Sequence, residues 1–355
     1  MKEIIELIEI SKYAGERLDL VQAGGGNSSV KLDNGQMLIK ASGFALSELT
    51  VKTGYSVVIT NKVAEIIKNN EIITATSKRK REELTSKLIR KSTIDTNNRP
   101  SIETLLHSVL LKYTLHTHPI ALNIILSQKN WKDVLNSIFK VDQFALIGYH
   151  TPGIDLAIEL NKEINREKTI PKILFLQNHG LIVTSDNIEE IEYLTEYVLN
   201  LVEAYLNIDF SKFKLTTQIT NLLKRVENSN NISYLSNDIF LNDLMKSNKK
   251  LFFEKPFCPD SFVFCGICAL EINDFLDLSL INFYQEKYLS LPKIIIYNNN
   301  IFIISESVKK AKEIEDVLKF HLMILSHNNS NINFLSQDEL NYLGNWEAEK
   351  FRQKL

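Results

Sequence analysis

The part of the sequence that decides the fold is a predicted strand, which reads Tyr113-Thr114-Leu115-His116-Thr117-His118 and is stopped by Pro119. Side chains alternate across a strand, so His116 and His118 lie on the same face. A bare His-x-His is more often two unrelated polar residues on a wet strand face. Here the surrounding residues look buried, and two unpaired imidazoles in a core would be costly. The pattern therefore favours a metal ion shared by both rings.

A third candidate ligand stands at the end of another apolar stretch, Lys172-Ile173-Leu174-Phe175-Leu176, which is followed by Gln177-Asn178-His179-Gly180. Site residues commonly emerge where a strand of an α/β core ends, and the glycine permits a close approach. Three histidines leave a position open for water or substrate, as catalytic zinc requires. Glu103 lies early in a helix that begins after Pro100, and its carboxylate could serve as a base or as a displaceable fourth ligand.

The remaining histidines are weaker candidates. His107 lies one helical turn after Glu103, and we favour a structural or supporting role for it over metal ligation. His150 follows Tyr149 in a loop-like segment that could approach a site or simply be exposed. His321 and His327, near the C-terminus, lie on or after a predicted surface helix and carry no functional signal.

The most glycine-rich stretch of the chain is Ala23-Gly24-Gly25-Gly26-Asn27-Ser28-Ser29. It matches neither the dinucleotide-binding fingerprint nor the P-loop. Its free backbone N–H groups and side-chain donors would suit a phosphate, and Ser42-Gly43 and Ser101 could add further donors. A tight connection that needs glycine only for its geometry is an equally good interpretation of this stretch taken alone.

Length and composition bound the class of protein. The chain has 355 residues, which suggests two domains, because a single core rarely exceeds roughly 250–300 residues. Helices and strands are mixed in both halves, with a strand predicted at residues 262–264. Residues 207–249 are rich in Asn and Ser and are interpreted as a connecting segment. The formal net charge of −2 argues against a general nucleic-acid binder, and no apolar run reaches the ~20 residues that span a membrane.

Three cysteines stand late in the chain, at Cys258, Cys265 and Cys268. Three cysteines are an odd number and too few for a disulfide framework. This indicates a protein of the reducing cytoplasm. The Cys-x2-Cys pair could be half of a second zinc site, although free buried cysteines are the simpler interpretation.

Five short motifs, taken in order, resemble the class II aldolase/adducin family. They are Gly26-Asn27-Ser28-Ser29, Ala41-Ser42-Gly43, Ser101-Ile102-Glu103, His116-Thr117-His118 and His179-Gly180. The resemblance implies an α/β fold, with a three-layer α/β/α domain over residues 1–206 that holds a central, mainly antiparallel sheet. A smaller C-terminal α/β domain would then occupy residues 250–355.

The same resemblance implies a role for each matching residue. The zinc ion, or another divalent metal, would be bound by His116, His118 and His179, with Glu103 as the acid/base beside it. The phosphate of the substrate would be held by Asn27, Ser29, Ser42, Gly43 and Ser101.

The implied activity is the cleavage or formation of a phosphorylated ketose, such as a ketose 1-phosphate, with dihydroxyacetone phosphate and an aldehyde as the cleavage products. Zinc would polarise the ketose carbonyl, and Glu103 would move the proton to and from the dihydroxyacetone phosphate carbon. A further acid, often supplied by a neighbouring subunit in this family, would protonate the aldehyde oxygen, and Tyr149 or His150 are candidates. The family also implies a cytoplasmic homo-oligomer, with a tetramer favoured, and no nucleic-acid or membrane partner.

A narrower resemblance covers almost the whole chain, more loosely between residues 207 and 250. Residues 100–107, 256–260 and 345–352 are similar to the branch that includes rhamnulose-1-phosphate aldolase fused to a short-chain dehydrogenase. In those fused proteins the dehydrogenase follows the region where this sequence stops, at Leu355. We therefore expect no oxidation of the aldehyde product by this chain.

Two other kinds of function stay open. A decarboxylase, epimerase or dehydratase of a phosphorylated sugar could use the same zinc site, and the zinc ligands alone do not separate these enzymes. The adducin branch uses this fold as a non-catalytic assembly module. In that branch we expect the metal ligands to be lost, whereas the three histidines and Glu103 are all present here.

Overall fold

The computed structural model describes residues 2–94, 98–140, 144–167, 169–227, 231–328 and 331–345. The chain divides into two compact units, Met1–Phe210 and Ser211–Leu355. Within the described ranges, every helix is too short or too polar to cross a membrane.

The first unit is built around one large sheet. Its described strands are β1 (Asn27–Lys31), β2 (Gln36–Lys40), β3 (Tyr55–Ile59), β4 (Tyr113–Thr117), β5 (Phe144–Ile147), β6 (Ile173–Leu176) and β7 (Gly180–Ser185). Their order across the sheet is β3-β2-β1-β4-β7-β6-β5. Every neighbouring pair is antiparallel except β5 and β6, which are parallel. The expected central, mainly antiparallel sheet is therefore confirmed.

Helices cover both faces of this sheet. They are α1 (Lys2–Gly15), α2 (Thr60–Ile66), α3 (Asn70–Ile73), α4 (Lys78–Lys91), α5 (Thr104–Ser108), α6 (Ile120–Leu126), α7 (Trp131–Ile138), α8 (Ile154–Glu167) and α9 (Glu189–Leu206), with a short 3-10 helix at Leu46–Glu48. One core lies under α1, α6, α7 and α9 and includes Leu7 and Val198. The other lies under α2, α4, α5 and α8 and includes Leu106 and Leu160. The two cores make this unit a three-layer α/β/α domain.

The second unit has its own smaller sheet and core. Its strands are β8 (Ile232–Leu235), β9 (Leu270–Glu271), β10 (Ile294–Tyr297) and β11 (Asn300–Ser305), in the order β8-β11-β10-β9. Its helices are α10 (Ser211–Val226), α11 (Ile239–Asn248), α12 (Pro259–Cys265), α13 (Ser279–Tyr288), α14 (Val308–His327) and α15 (Gln337–Asn345), with a 3-10 helix at Lys249–Phe253. The hairpin of β10 and β11 supplies buried isoleucines to the core, among them Ile296 and Ile303.

The structure differs from the sequence interpretation of residues 207–249, which we expected to be a connecting segment. They contain α10, β8 and α11, and β8 pairs with β11 in the second sheet. Helix α10 buries Phe213 and Leu222, whose apolar spacing is hidden in the sequence by the surrounding Asn, Ser and Thr residues. The division of the chain into two units instead falls between Phe210 and Ser211.

The prediction of a strand at residues 262–264 is wrong, because these residues lie within α12. Pro259 begins this helix, a position where its fixed φ is favourable and its missing N–H costs nothing. An apolar run of three residues carries too little periodicity to separate a strand from a helix. The C-terminal motif at residues 345–352 lies, beyond Asn345, outside the described residues.

Candidate metal centre

The three candidate ligands meet where β4 ends beside the turn between β6 and β7. His116 lies within β4, His118 directly follows it, and His179 stands immediately before β7. Strands β4 and β7 are antiparallel, with Thr117 opposite Leu181, so the turn that carries His179 lies next to the end of β4. A side chain at Gly180 would overlap the Thr117 carbonyl oxygen, which is why this close approach requires glycine.

The imidazole rings converge through one nitrogen atom each. The Nε2 atom of His116 lies 3.2 Å from that of His179 and 3.1 Å from that of His118. Zn–N bonds of about 2.05 Å in a tetrahedral site separate neighbouring nitrogen ligands by about 3.3 Å. Among the described residues, these histidines are the one group of three His, Cys, Asp or Glu side chains close enough together to hold a metal ion. The residues present therefore fit a bound divalent metal.

The protonation of the rings also suits metal binding. The Nδ1 atom of His116 lies 2.9 Å from the Leu181 carbonyl oxygen, and since a carbonyl only accepts, Nδ1 carries the proton and Nε2 carries the lone pair. Burial lowers the pKa of His116 to about 3. Burial, followed by the neighbouring His179, also lowers the pKa of His118. Both rings are therefore neutral near pH 7, which is the form that binds metals.

Glu103 places a carboxylate beside the three rings. Its Oε1 atom lies 3.3 Å from Nε2 of His179 and 3.6 Å from Nε2 of His116. Burial on its own would raise the pKa of Glu103, but His116, His179 and a hydrogen bond from Asn27 lower it overall. The carboxylate is therefore ionised and faces the point where the imidazoles converge, as expected of a base or a fourth ligand.

Asn27 holds Glu103 in this position. Its Nδ2 atom lies 2.9 Å from Glu103 Oε2 and 2.8 Å from Ser101 Oγ. An ionised carboxylate only accepts hydrogen bonds, so the amide nitrogen must face it and the orientation of the amide is fixed by chemistry. The Oδ1 atom of Asn27 is then buried without a partner among the described residues.

The other residues predicted to bind phosphate differ in their exposure to solvent. Ser42 and Gly43 are exposed at the end of β2, and the Ser42 N–H donates to the Arg99 carbonyl oxygen at 2.8 Å, which brings this end of β2 beside Ser101. Ser29 is fully buried, and its Oγ lies 2.7 Å from His107 Nδ1.

His107 has the supporting position that we favoured. It is fully buried on α5, and it is not among the residues that could hold the metal. Burial lowers its pKa to about 4, so it is a neutral core histidine that connects α5 to β1 through Ser29.

Lys40 is a charged residue near the site that our sequence analysis missed. It ends β2, is only 3% exposed, and its Nζ lies 3.3 Å from the Gly24 carbonyl oxygen. Burial lowers its pKa, and the charge of Glu103 partly offsets this shift. The sequence signal was a lysine closing the apolar run Met37-Leu38-Ile39, directly before Ala41-Ser42-Gly43.

The loop from Gly148 to Gly153 lies between the histidine side and the carboxylate side of the site. The Tyr149 N–H donates to Gln177 Oε1 at 3.0 Å. Gln177 stands two residues before His179. At the other end, a side chain on Gly153 would come within 3.1 Å of Ile102, the neighbour of Glu103. The Tyr149 side chain is 57% exposed to solvent in this chain.

The three cysteines do not form a second metal site in the described part of the chain, which includes all of them. Cys258 Sγ lies 3.2 Å from Ser261 Oγ, and Cys265 is buried with its Sγ against the Ile314 carbonyl oxygen. Burial raises the pKa of Cys265 to about 12, which disfavours the thiolate that zinc binds.

Comparison with known proteins supplies a family for the first unit. The family model of the Class II Aldolase and Adducin N-terminal domain matches residues 5–206. No curated protein matches the chain.

Solved structures of similar proteins align over the same unit. The N-terminal class II aldolase domain of a conserved protein from Thermoplasma acidophilum is 25% identical, with a TM-score of 0.49 over 57% of this chain and 93% of that chain. A sugar-phosphate aldolase from Thermotoga maritima is 14% identical, with a TM-score of 0.40 over 57% and 96%. An L-fuculose-1-phosphate aldolase from Thermus thermophilus is 12% identical, with a TM-score of 0.37 over 58% and 94%. Because the family model spans more than half of the sequence, the chain belongs to the class II aldolase/adducin family.

Proposed function

We propose that this protein is a metal-dependent aldolase that cleaves or forms a phosphorylated ketose, such as a ketose 1-phosphate, with dihydroxyacetone phosphate and an aldehyde as cleavage products. The observation that carries the proposal is the convergence of three imidazoles beside an ionised carboxylate, with Nε2 of His116 lying 3.1–3.2 Å from Nε2 of each of the other two rings. An assembly module has no use for such a constellation, so the proposal favours an enzyme over an adducin-like scaffold.

The proposed metal ligands are His116, His118 and His179, and zinc is the metal that best suits three imidazoles. A divalent metal held there would supply Lewis-acid polarisation of a carbonyl oxygen. Glu103 would take the proton from the carbon next to that carbonyl, or return it, through Oε1. Its other oxygen stays with Asn27, so the base keeps one orientation throughout.

The proposed phosphate site lies between the glycine-rich loop and the end of β2. Backbone N–H groups of Gly24 and Gly26, together with Ser42, Gly43 and Ser101, would donate to the phosphate oxygens. The N–H of Gly25 already donates to the Gln22 carbonyl oxygen at 3.0 Å. Lys40 adds a buried positive charge beside Gly24. We assign Ser29 a supporting part through His107, because its hydroxyl is already hydrogen-bonded to the His107 ring.

Asn27 has a separate part in this proposal. Its amide N–H groups are used by Ser101 and Glu103, so the atom left for a substrate is the acceptor Oδ1. An acceptor would bind a hydroxyl group of the sugar rather than the phosphate.

The wider properties also remain proposals. We propose membership of the branch that includes rhamnulose-1-phosphate aldolase, a cytoplasmic homo-oligomer with a tetramer favoured, and an accessory role for the second unit. Sedimentation of the purified protein tests the oligomeric state directly.

The activity is tested with a panel of ketose 1-phosphates of different stereochemistry, in the presence of zinc, with dihydroxyacetone phosphate as the measured product. We expect at least one substrate to release it, at a rate that falls to background in His118→Ala. If the metal-loaded protein releases no dihydroxyacetone phosphate from any member of the panel but decarboxylates, epimerises or dehydrates a phosphorylated sugar, the aldolase assignment is wrong.

A further inference from the structure

We propose that Arg17 is a positioning residue for the candidate metal centre. Arg17 acts on the ligand His118 through Asp19 and the backbone of residues 19–20. The proposal rests on the metal site proposed above and would fall with it. It concerns a buried charge cluster that no step of the proposed reaction uses.

The cluster is a buried arginine held by two carboxylates. Arg17 Nε lies 3.1 Å from Asp19 Oδ1, and its Nη2 lies 2.6 Å from Oδ2, so the pair is bidentate. Both side chains are 1% exposed. Arg17 Nη1 also donates to Glu196 of α9, which accepts a second hydrogen bond from the Tyr13 hydroxyl at 2.7 Å.

Such a cluster is poorly explained by stability alone. Removing charges from water is expensive, and a buried ion pair is often no more stabilising than apolar residues of the same volume. The bidentate geometry does, however, fix Asp19 in one place, because the planar guanidinium binds both carboxylate oxygens at once.

The carbonyl groups of Asp19 and Leu20 bind the backbone N–H groups on both sides of Pro119. The Leu20 carbonyl oxygen accepts the N–H of His118 at 2.9 Å, and the Asp19 carbonyl oxygen accepts the N–H of Ile120, also at 2.9 Å. Pro119 itself has no N–H to donate. Strand β4 ends at Thr117, so this segment takes over from the sheet in supporting the His118 backbone.

The same segment continues into the glycine-rich loop. The N–H groups of Leu20 and Val21 both donate to the Arg17 carbonyl oxygen at 3.1 Å. Further along, a side chain on Gly25 would come within 2.9 Å of His118 Nδ1. A shift of Asp19 would therefore move a metal ligand and the proposed phosphate loop together.

The test measures metal binding in the full-length Asp19→Asn variant, which keeps the shape of the side chain and weakens its bond to Arg17. The control is Leu160→Ala, which opens a cavity in the core on the other face of the sheet. The described residues of that core include none of residues 17–21. The readouts are the Zn²⁺ dissociation constant from chelator competition, the Co²⁺ absorption spectrum, the Tm, and KM and kcat on an active substrate.

We expect Asp19→Asn to weaken Zn²⁺ binding by about 10–100-fold, the range found when groups that orient metal ligands are changed. Its Co²⁺ spectrum should change, and KM should rise. Leu160→Ala should lower the Tm while the Zn²⁺ affinity and the Co²⁺ spectrum stay as in the wild type. If Asp19→Asn does not fold, Arg17→Lys, which keeps the charge and loses the bidentate fork, is compared in the same way.

If the Asp19→Asn or Arg17→Lys variant has a lower Tm but keeps the wild-type Zn²⁺ affinity and Co²⁺ spectrum, the cluster is only structural. That result would overturn the inference. A folded wild-type protein that binds no Zn²⁺ gives a different result, since it would remove the proposed metal site itself. The two failures are thus distinguished by the wild-type titration.

Discussion

At the scale of single residues, Glu103 has two carboxylate oxygens with different partners. Oε2 accepts from Asn27, while Oε1 faces His179 and His116. Its pKa is lowered by these neighbours, so the carboxylate is ionised at neutral pH and able to accept a proton. We expect Glu103→Gln to keep most of the metal, because the three histidines remain, and to lower kcat by about 10²–10⁴-fold. Metal analysis and initial rates measure the two effects, and near wild-type rates would assign the proton transfer to another group.

His321 gives a second prediction at this scale, in the other unit. Its ring stacks on Phe257 with a centroid distance of 5.4 Å, and its Nδ1 is buried without a partner among the described residues. Burial lowers its pKa to about 4, against about 6.5 for an unperturbed histidine. The unfolded chain therefore binds more protons than the folded one as pH falls from about 6.5 to about 4, so stability is lost in that window.

We expect His321→Leu to remove this part of the pH dependence, on the order of 2 kcal/mol in the free energy of unfolding. Thermal unfolding of both proteins at about pH 7.5 and about pH 5 measures it, and the other histidines are common to both. An identical loss of Tm on acidification in wild type and variant would show that His321 is not the responsible group.

At the scale of elements, the junction of β4 and β7 depends on Gly180. A Cβ atom there would overlap the Thr117 carbonyl oxygen, so the two strands must separate to admit it. We expect Gly180→Ala to lower the free energy of unfolding by about 1–3 kcal/mol and to weaken metal binding, because His179 moves with the turn. Gly24→Ala is the matched control, since a side chain there meets nothing within 4 Å. Equal Tm and metal content in both variants would contradict the close approach at Gly180.

The same junction shows how much the sequence could predict. The alternation predicted for residues 113–118 put His116 and His118 on one face, and the end of the apolar run 173–176 placed His179, because both follow from the local sequence. Lys40 was missed since its environment depends on the distant Gly24 carbonyl group. The part that Arg17 plays was equally out of reach, because its partner Glu196 lies 179 residues away.

Two element assignments failed for a related reason. Residues 262–264 are apolar enough for a strand, but Pro259 starts a helix there, and the tertiary packing of α12 decides the outcome. Strand β8 is only four residues long, and its pairing with β11 depends on residues some 70 positions further along the chain.

At the scale of the whole molecule, the candidate metal centre and the proposed phosphate donors all lie within Met1–Phe210. The family model ends at residue 206, so it covers this unit and leaves Ser211–Leu355 without a family assignment. The second unit has its own sheet and core, and its cysteines do not converge as metal ligands among the described residues. Metal content should therefore depend on the first unit alone.

The most direct test of the central claim is the metal content of the purified, folded protein after reconstitution with Zn²⁺ and removal of the excess. The account predicts about one Zn²⁺ per chain in the wild type, as a single three-histidine site would hold, and almost none in His118→Ala at a similar Tm. Absence of stoichiometric metal in the folded wild type, or the same metal content in His118→Ala, would contradict it.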